Sequence, residues 1–116
     1  MIEKLLNKIT WTKGRQNSTY NKKLLFKSSK FDCWLLYYPK GSFIQEHTDQ
    51  VSEWENHYRM NVILVKPKLG GKFISTNTIF NLGRIILFRP DIFPHRLTIV
   101  KKGYRLVLSI GWVTWK

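Results

Sequence analysis

An all-β fold, a jelly roll or antiparallel sandwich, is predicted by three observations. There are about seven or eight short apolar runs, turn residues recur roughly every 8 to 12 positions, and almost no helical period follows the first ten residues. The opening "MIEKLLNKIT" sets Ile2, Leu5, Leu6 and Ile9 at helical spacing and predicts one short packing helix. Residues 11–23, "WTKGRQNSTYNKK", are polar, basic and without period, and predict a loop or crossing segment. "FDCWLLYYP" reads as an aromatic strand ending at Pro39, and Lys40 and Gly41 turn it into the alternating "SFIQEH". "HYRMNVILV" is an apolar strand stopped by Pro67, and "KLGGKFIS" restarts through Gly70 and Gly71. "GRIILFRP" and "HRLTIV" flank the turn "PDIFP", and "KKG" leads into the long "YRLVLSIGWVTW". The expected organisation is one domain over residues 1–116, with 1–30 as helix and supporting segment and 31–116 as the barrel.

The 116 residues include 20 Lys and Arg against 7 Asp and Glu, a formal charge of +13. Such a field attracts polyanions and draws small anions inward, although a basic surface kept for solubility gives the same count. Cys33 is the single cysteine, which excludes an internal disulfide and a thiolate metal cluster and fits a reducing, cytoplasmic setting. The first ten residues lack the uncharged core and small-residue cleavage site of a signal peptide. No run approaches the ~18 apolar residues of a membrane span, so no membrane association is expected.

Chemistry is suggested by "GSFIQEHTDQ", where His47 and Asp49 stand two apart at a strand end. In extended backbone they share a face at about 6 to 7 Å, a spacing that suits two ligands of one ion. A turn in which Asp49 caps local amides would look the same. Of the other histidines, His95 opens a strand while His57 sits in the polar "EWENHY", which makes His95 the better third ligand; a two-histidine, one-carboxylate set favours Fe(II). If Lys101, Lys102 and Gly103 close a three-residue hairpin, Ile99 pairs with Arg105 and His95 with Ser109. His95 and Arg105 would then share a face, roughly 13 Å apart along the ladder. Arg105 stands among Leu97, Ile99 and Val107, so it needs an anionic partner, and none of the seven acids is an obvious one.

With these residues in place the sequence resembles the Fe(II) and 2-oxoglutarate-dependent dioxygenases, in particular their prolyl-hydroxylase-like branch. The resemblance runs from about Phe31 to Trp112 and rests on "YYPKGSFIQEHTD", "YRMNVILVKPKLGGKF", "GRIILFRPDIFPHRL" and "GYRLVLSIGW" in that order. It implies a double-stranded β-helix in which His47, Asp49 and His95 ligate Fe(II) and Arg105 pairs with the C5 carboxylate of 2-oxoglutarate. Tyr38 would contact that cosubstrate, with Tyr37 as the alternative; Asn61 and Leu64 would lie on the strand facing the metal, and Asn61 would supply a further hydrogen bond to the cosubstrate where the branch often has a tyrosine near Leu64. Trp112 resembles a tryptophan of the branch, with its parity shifted by Gly111. The implied activity uses O2 to hydroxylate a C–H bond and releases succinate and CO2, on a peptide or a nucleic-acid-associated substrate. Arg59 and Trp54 are candidate substrate contacts, with a solvated strand-end arginine as the alternative for Arg59.

A competing expectation is a basic jelly roll that binds nucleic acid around a vestigial or structural metal site. The branch usually places several supporting helices before the barrel, whereas here only "MIEKLLNK" is available. Residues 11–30, a second copy forming a homodimer, or a partner would have to cover the exposed sheet face. So small a chain suits a compact genome such as a phage's.

Overall fold

The computed structural model describes residues 4, 6, 8–13 and 20–115. The apolar runs become antiparallel strands. The large sheet contains β1 (Thr12–Lys13), β2 (Asn21–Lys27), β3 (Phe31–Tyr38), β5 (Glu55–Val65), β8 (Phe80–Asn81), β9 (Ile85–Phe88) and β12 (Arg105–Trp115), in the order β1-β2-β3-β12-β5-β9-β8. A small sheet contains β4 (Ile44–His47), β7 (Phe73–Ser75) and β10 (His95–Leu97), ordered β4-β10-β7, and β6 (Leu69–Gly70) pairs with β11 (Val100–Lys102).

Alternation decides what reaches the interior. On β3 the residues Asp32, Trp34, Leu36 and Tyr38 lie opposite Gly111, Ser109, Val107 and Arg105 of β12. On the other edge of β12, Val107, Ser109 and Gly111 lie opposite Ile63, Asn61 and Arg59 of β5. These rows form the inner face of the large sheet. Leu97, Ile44 and Phe73 from the small sheet pack with Tyr38, Ile63 and Val107 to make the core, and the rings of Phe73 and Phe88 meet at 4.9 Å. Apolar side chains removed from water on both sheets hold the layers together.

Three expectations are corrected. The hairpin joining residues 95–100 to β12 does not form: both edges of β12 are occupied, by β3 and β5, so no edge is left for β10. The intervening backbone is satisfied elsewhere, with the amide of Thr98 donating to Lys72 O, that of Val100 to Ser42 O and that of Gly71 to Ile99 O. The segment 11–23 is not all loop, since β1 and the start of β2 lie in it, and the backbone ladders of β2 with β3 and of β1 with β2 recruit these polar residues into the sheet. The short N-terminal helix is not delimited as an element among the described residues; most of it falls outside them, and of its apolar stripe Leu6 is buried and Ile9 half-buried, with the amide of Ile9 donating to Leu6 O.

Candidate metal centre and cavity

His47 ends β4 and His95 begins β10, and the antiparallel register sets them directly opposite, with ring centroids 4.3 Å apart. Each ring is held the same way. Nδ1 of His47 lies 2.8 Å from the carbonyl oxygen of Gln45, and Nδ1 of His95 lies 2.9 Å from that of Phe93. A carbonyl only accepts, so Nδ1 carries a hydrogen, and Nε2, which faces the Asp49 carboxylate, is the ring nitrogen that takes a ligand role once it has given up its own hydrogen. Asp49 lies just beyond β4, where its amide donates to Pro90 O at 2.7 Å and anchors it beside the turn after β9. Its carboxylate receives both rings, with Oδ1 at 3.3 Å from His47 Nε2 and Oδ2 at 3.8 Å from His95 Nε2. One ligand atom from each residue lies within 4.8 Å of the others, close enough to hold one metal ion. Burial pushes the Asp49 carboxyl up, but the hydrogen bond from His47 and the charges of His95, His47 and Arg59 outweigh it and hold it below the usual range. The carboxylate is therefore ionised at neutral pH, as a ligand must be.

These three residues open on a cavity of about 270 Å³ whose wall also includes Tyr38, Asn61 and Arg105. Arg105 is 4% exposed, and one of its donors, Nη1, reaches Gly71 O at 3.2 Å. The Gly70–Gly71 turn supplies that carbonyl. Gly71 has φ +61°, and a Cβ there would lie 2.8 Å from Pro67 Cγ and 2.9 Å from Val100 Cγ2. Arg105 Nε is buried with no hydrogen-bond partner, and no carboxylate among the described residues pairs with the guanidinium. Burial lowers its pKa and the nearby Tyr38 opposes this, but an arginine remains cationic. Tyr38 stacks on Tyr20 at 4.9 Å and lies 5.8 Å from the Arg105 guanidinium. Burial raises its pKa well above the usual value, so it presents a protonated hydroxyl.

The other inward arginine is treated differently. Arg59 donates to both oxygens of Asp32, at 3.0 and 2.7 Å, and to Ser109 Oγ at 2.8 Å. Ser109 in turn lies 2.7 Å from Asn61 Oδ1. His57, beside this group, has its pKa lowered by burial first and by the charge of Arg59 second, so it is neutral at pH 7.

Of the residues singled out in the sequence, His47, Asp49, His95, Arg105, Tyr38, Asn61 and Arg59 line the same cavity. Tyr38 rather than Tyr37 faces it; Tyr37 packs between Trp11 and Tyr104. Arg59 is ion-paired rather than solvated. Trp54 is 65% exposed in the turn before β5 and does not line the cavity. Leu64 also points outward, and Trp112 stacks on Tyr58 outside the cavity. Asp32 was not singled out in the sequence and Ser109 only as a strand partner of His95, although strand parity with Tyr38 and Arg105 places both on the inner face.

Neither a family sequence model nor a curated protein matches the chain. Solved structures do match its shape. A prolyl-4-hydroxylase of Pseudomonas putida superposes with a TM-score of 0.71 at 13% identity, covering 99% of this chain and 82% of that one. The viral collagen prolyl hydroxylase of Paramecium bursaria Chlorella virus-1, solved as its 2-oxoglutarate complex, gives 0.59 at 12% identity over 81% and 78%. The cupin domain of Schizosaccharomyces pombe Cnp3 gives 0.56 at 13% identity over 94% and 72%. At these identities the likeness establishes the fold, a cupin-type jelly roll. Among the described residues no helix is long and apolar enough to cross a membrane.

Proposed function

We propose that the protein is an Fe(II) and 2-oxoglutarate-dependent oxygenase that hydroxylates a C–H bond of a peptide or nucleic-acid-associated substrate. The observation that carries this reading is an orphaned buried arginine sharing a cavity with a convergent two-histidine, one-carboxylate set. The donor set fits a divalent first-row metal, with both Nε2 atoms converging on the Asp49 carboxylate and the cavity leaving room for exchangeable ligands. The guanidinium fits the far carboxylate of a dicarboxylate, because a charge-assisted pair would relieve the cost of leaving it buried alone.

When bound, iron and 2-oxoglutarate would supply the oxidising chemistry, in which O2 delivers one oxygen atom to the substrate C–H bond and the other to succinate as CO2 leaves. His47, Asp49 and His95 would hold the metal. Arg105 and the protonated Tyr38 would hold the cosubstrate, and Leu36, Ile44, Leu97 and Phe73 would keep its path apolar. Lys22 and Arg96 also line the cavity, Lys22 lies 4.8 Å from the Trp34 ring, and Asp49 is the one carboxylate among the described lining residues. Together with the +13 charge this supports an anionic partner.

The test is formation of succinate from 2-oxoglutarate. It should require Fe(II), stop on chelation, and fall at least about 1000-fold in His47→Ala. Succinate formation unaffected by chelator or by His47→Ala would refute the activity. A nucleic-acid-binding module predicts instead an affinity that falls steeply with salt and ignores chelation.

A further inference from the structure

We infer that Asp32, Arg59 and Ser109 are positioning residues that fix the Asn61 carboxamide so that its NH2 group donates into the cavity, towards a carboxylate or keto oxygen of the ligand bound there. The ligand half of this inference rests on the function proposed above. The chain of hydrogen bonds has only one consistent direction. Arg59 can only donate, and Asp32 takes one of its nitrogens with both oxygens, which locks the guanidinium plane. A second nitrogen donates to Ser109 Oγ at 2.8 Å. Ser109 is 1% exposed, so its hydroxyl hydrogen must find an acceptor inside the protein. Asn61 Oδ1, at 2.7 Å, is that acceptor. A flipped amide would place N–H against the hydroxyl and leave the hydroxyl hydrogen buried and unsatisfied. The Asn61 NH2 group is therefore aimed away from Ser109. It has no hydrogen-bond partner among the described residues, and Asn61 lines the cavity.

Gly111 makes room for the device. A Cβ at that position would overlap Arg59 Nη2 and lie 2.6 Å from its Cζ and 2.8 Å from Asp32 Oδ1. Any side chain there displaces the guanidinium from its place between Asp32 and Ser109.

Two measurements on the full chain separate this inference from the activity. In metal-free protein labelled with 15N at asparagine, the Asn61 side-chain NH2 resonances, assigned by their loss in Asn61→Ala, should move in both Ser109→Ala and Gly111→Ala. With Mn(II) bound, both variants should bind 2-oxoglutarate roughly tenfold more weakly, Asn61→Asp more weakly still, and Mn(II) affinity should not change. Resonances unmoved in both variants overturn the inference, as does an unchanged 2-oxoglutarate affinity in both. A parent protein that binds Mn(II) but no 2-oxoglutarate overturns the proposed function and the ligand half of the inference, leaving the amide orientation to be decided by the resonances.

Discussion

Arg59 and Arg105 enter the same cavity from neighbouring strands, and the protein satisfies one and not the other. Arg59 spends its donors on Asp32 and Ser109, whereas Arg105 keeps one bond to a backbone carbonyl and a buried Nε with no acceptor. A charge neutralised within the chain has been recruited to shape the wall. A charge left unneutralised at 4% exposure is a standing cost to folding, which the proposed dicarboxylate ligand would relieve. On the proposed function, the contrast separates a residue that shapes the wall from one that would bind the ligand on the same sheet face.

The contrast breaks most visibly at Arg105. Arg105→Met should lower 2-oxoglutarate affinity by about 100-fold or more while raising stability by about 1–3 kcal/mol, because the unpaired buried charge is gone. Calorimetric titration and urea unfolding read the two effects. Arg59→Met should do the reverse in stability: Asp32 and Ser109 lose their donor, and the fold should weaken by about 1–3 kcal/mol in the same unfolding experiment.

A third arginine sharpens the rule for paired charges. Arg89 holds Asp91 through contacts of 3.1 and 2.6 Å, and the Asp91 side chain is 6% exposed. Burial raises the Asp91 carboxyl, but the bonds from Arg89 and from the His57 amide outweigh it and hold it below the usual range. A carboxyl depressed in the folded state stabilises fully above its ordinary pKa, and that contribution is lost as pH falls through the lowered value. Asp91→Asn should therefore cost about 1–2 kcal/mol at pH 7 and little in strong acid, as read by unfolding at both pH values. The smallest effect is expected at the rim, where Arg96→Glu should weaken an anionic partner by about threefold at low salt and not measurably at high salt.

Local chemistry was legible in the sequence; pairing was not. Apolar alternation located nearly every long strand, and residue type with strand-end position picked out the candidate set of His47, Asp49 and His95, which lines one cavity together with Arg105. The hairpin after His95 was misplaced because alternation specifies which face a residue takes and says nothing of which edge accepts the strand. Both edges of β12 were already taken by strands that lie more than forty residues earlier in the chain. The Arg59–Asp32 pair was hidden for a related reason: its partners stand 27 residues apart and meet across the Gly111 gap, which has meaning only once β3, β12 and β5 are side by side. Tyr38 was separated from Tyr37 only by the register that sets it opposite Arg105.

The most direct test of the central claim is the weak visible absorption band expected when 2-oxoglutarate is added to the protein with Fe(II) under anaerobic conditions. The parent should develop the band, and Arg105→Met should bind Fe(II) yet fail to develop it at the same 2-oxoglutarate concentration. A parent without the band, or an Arg105→Met protein with a band of equal strength, would contradict the account.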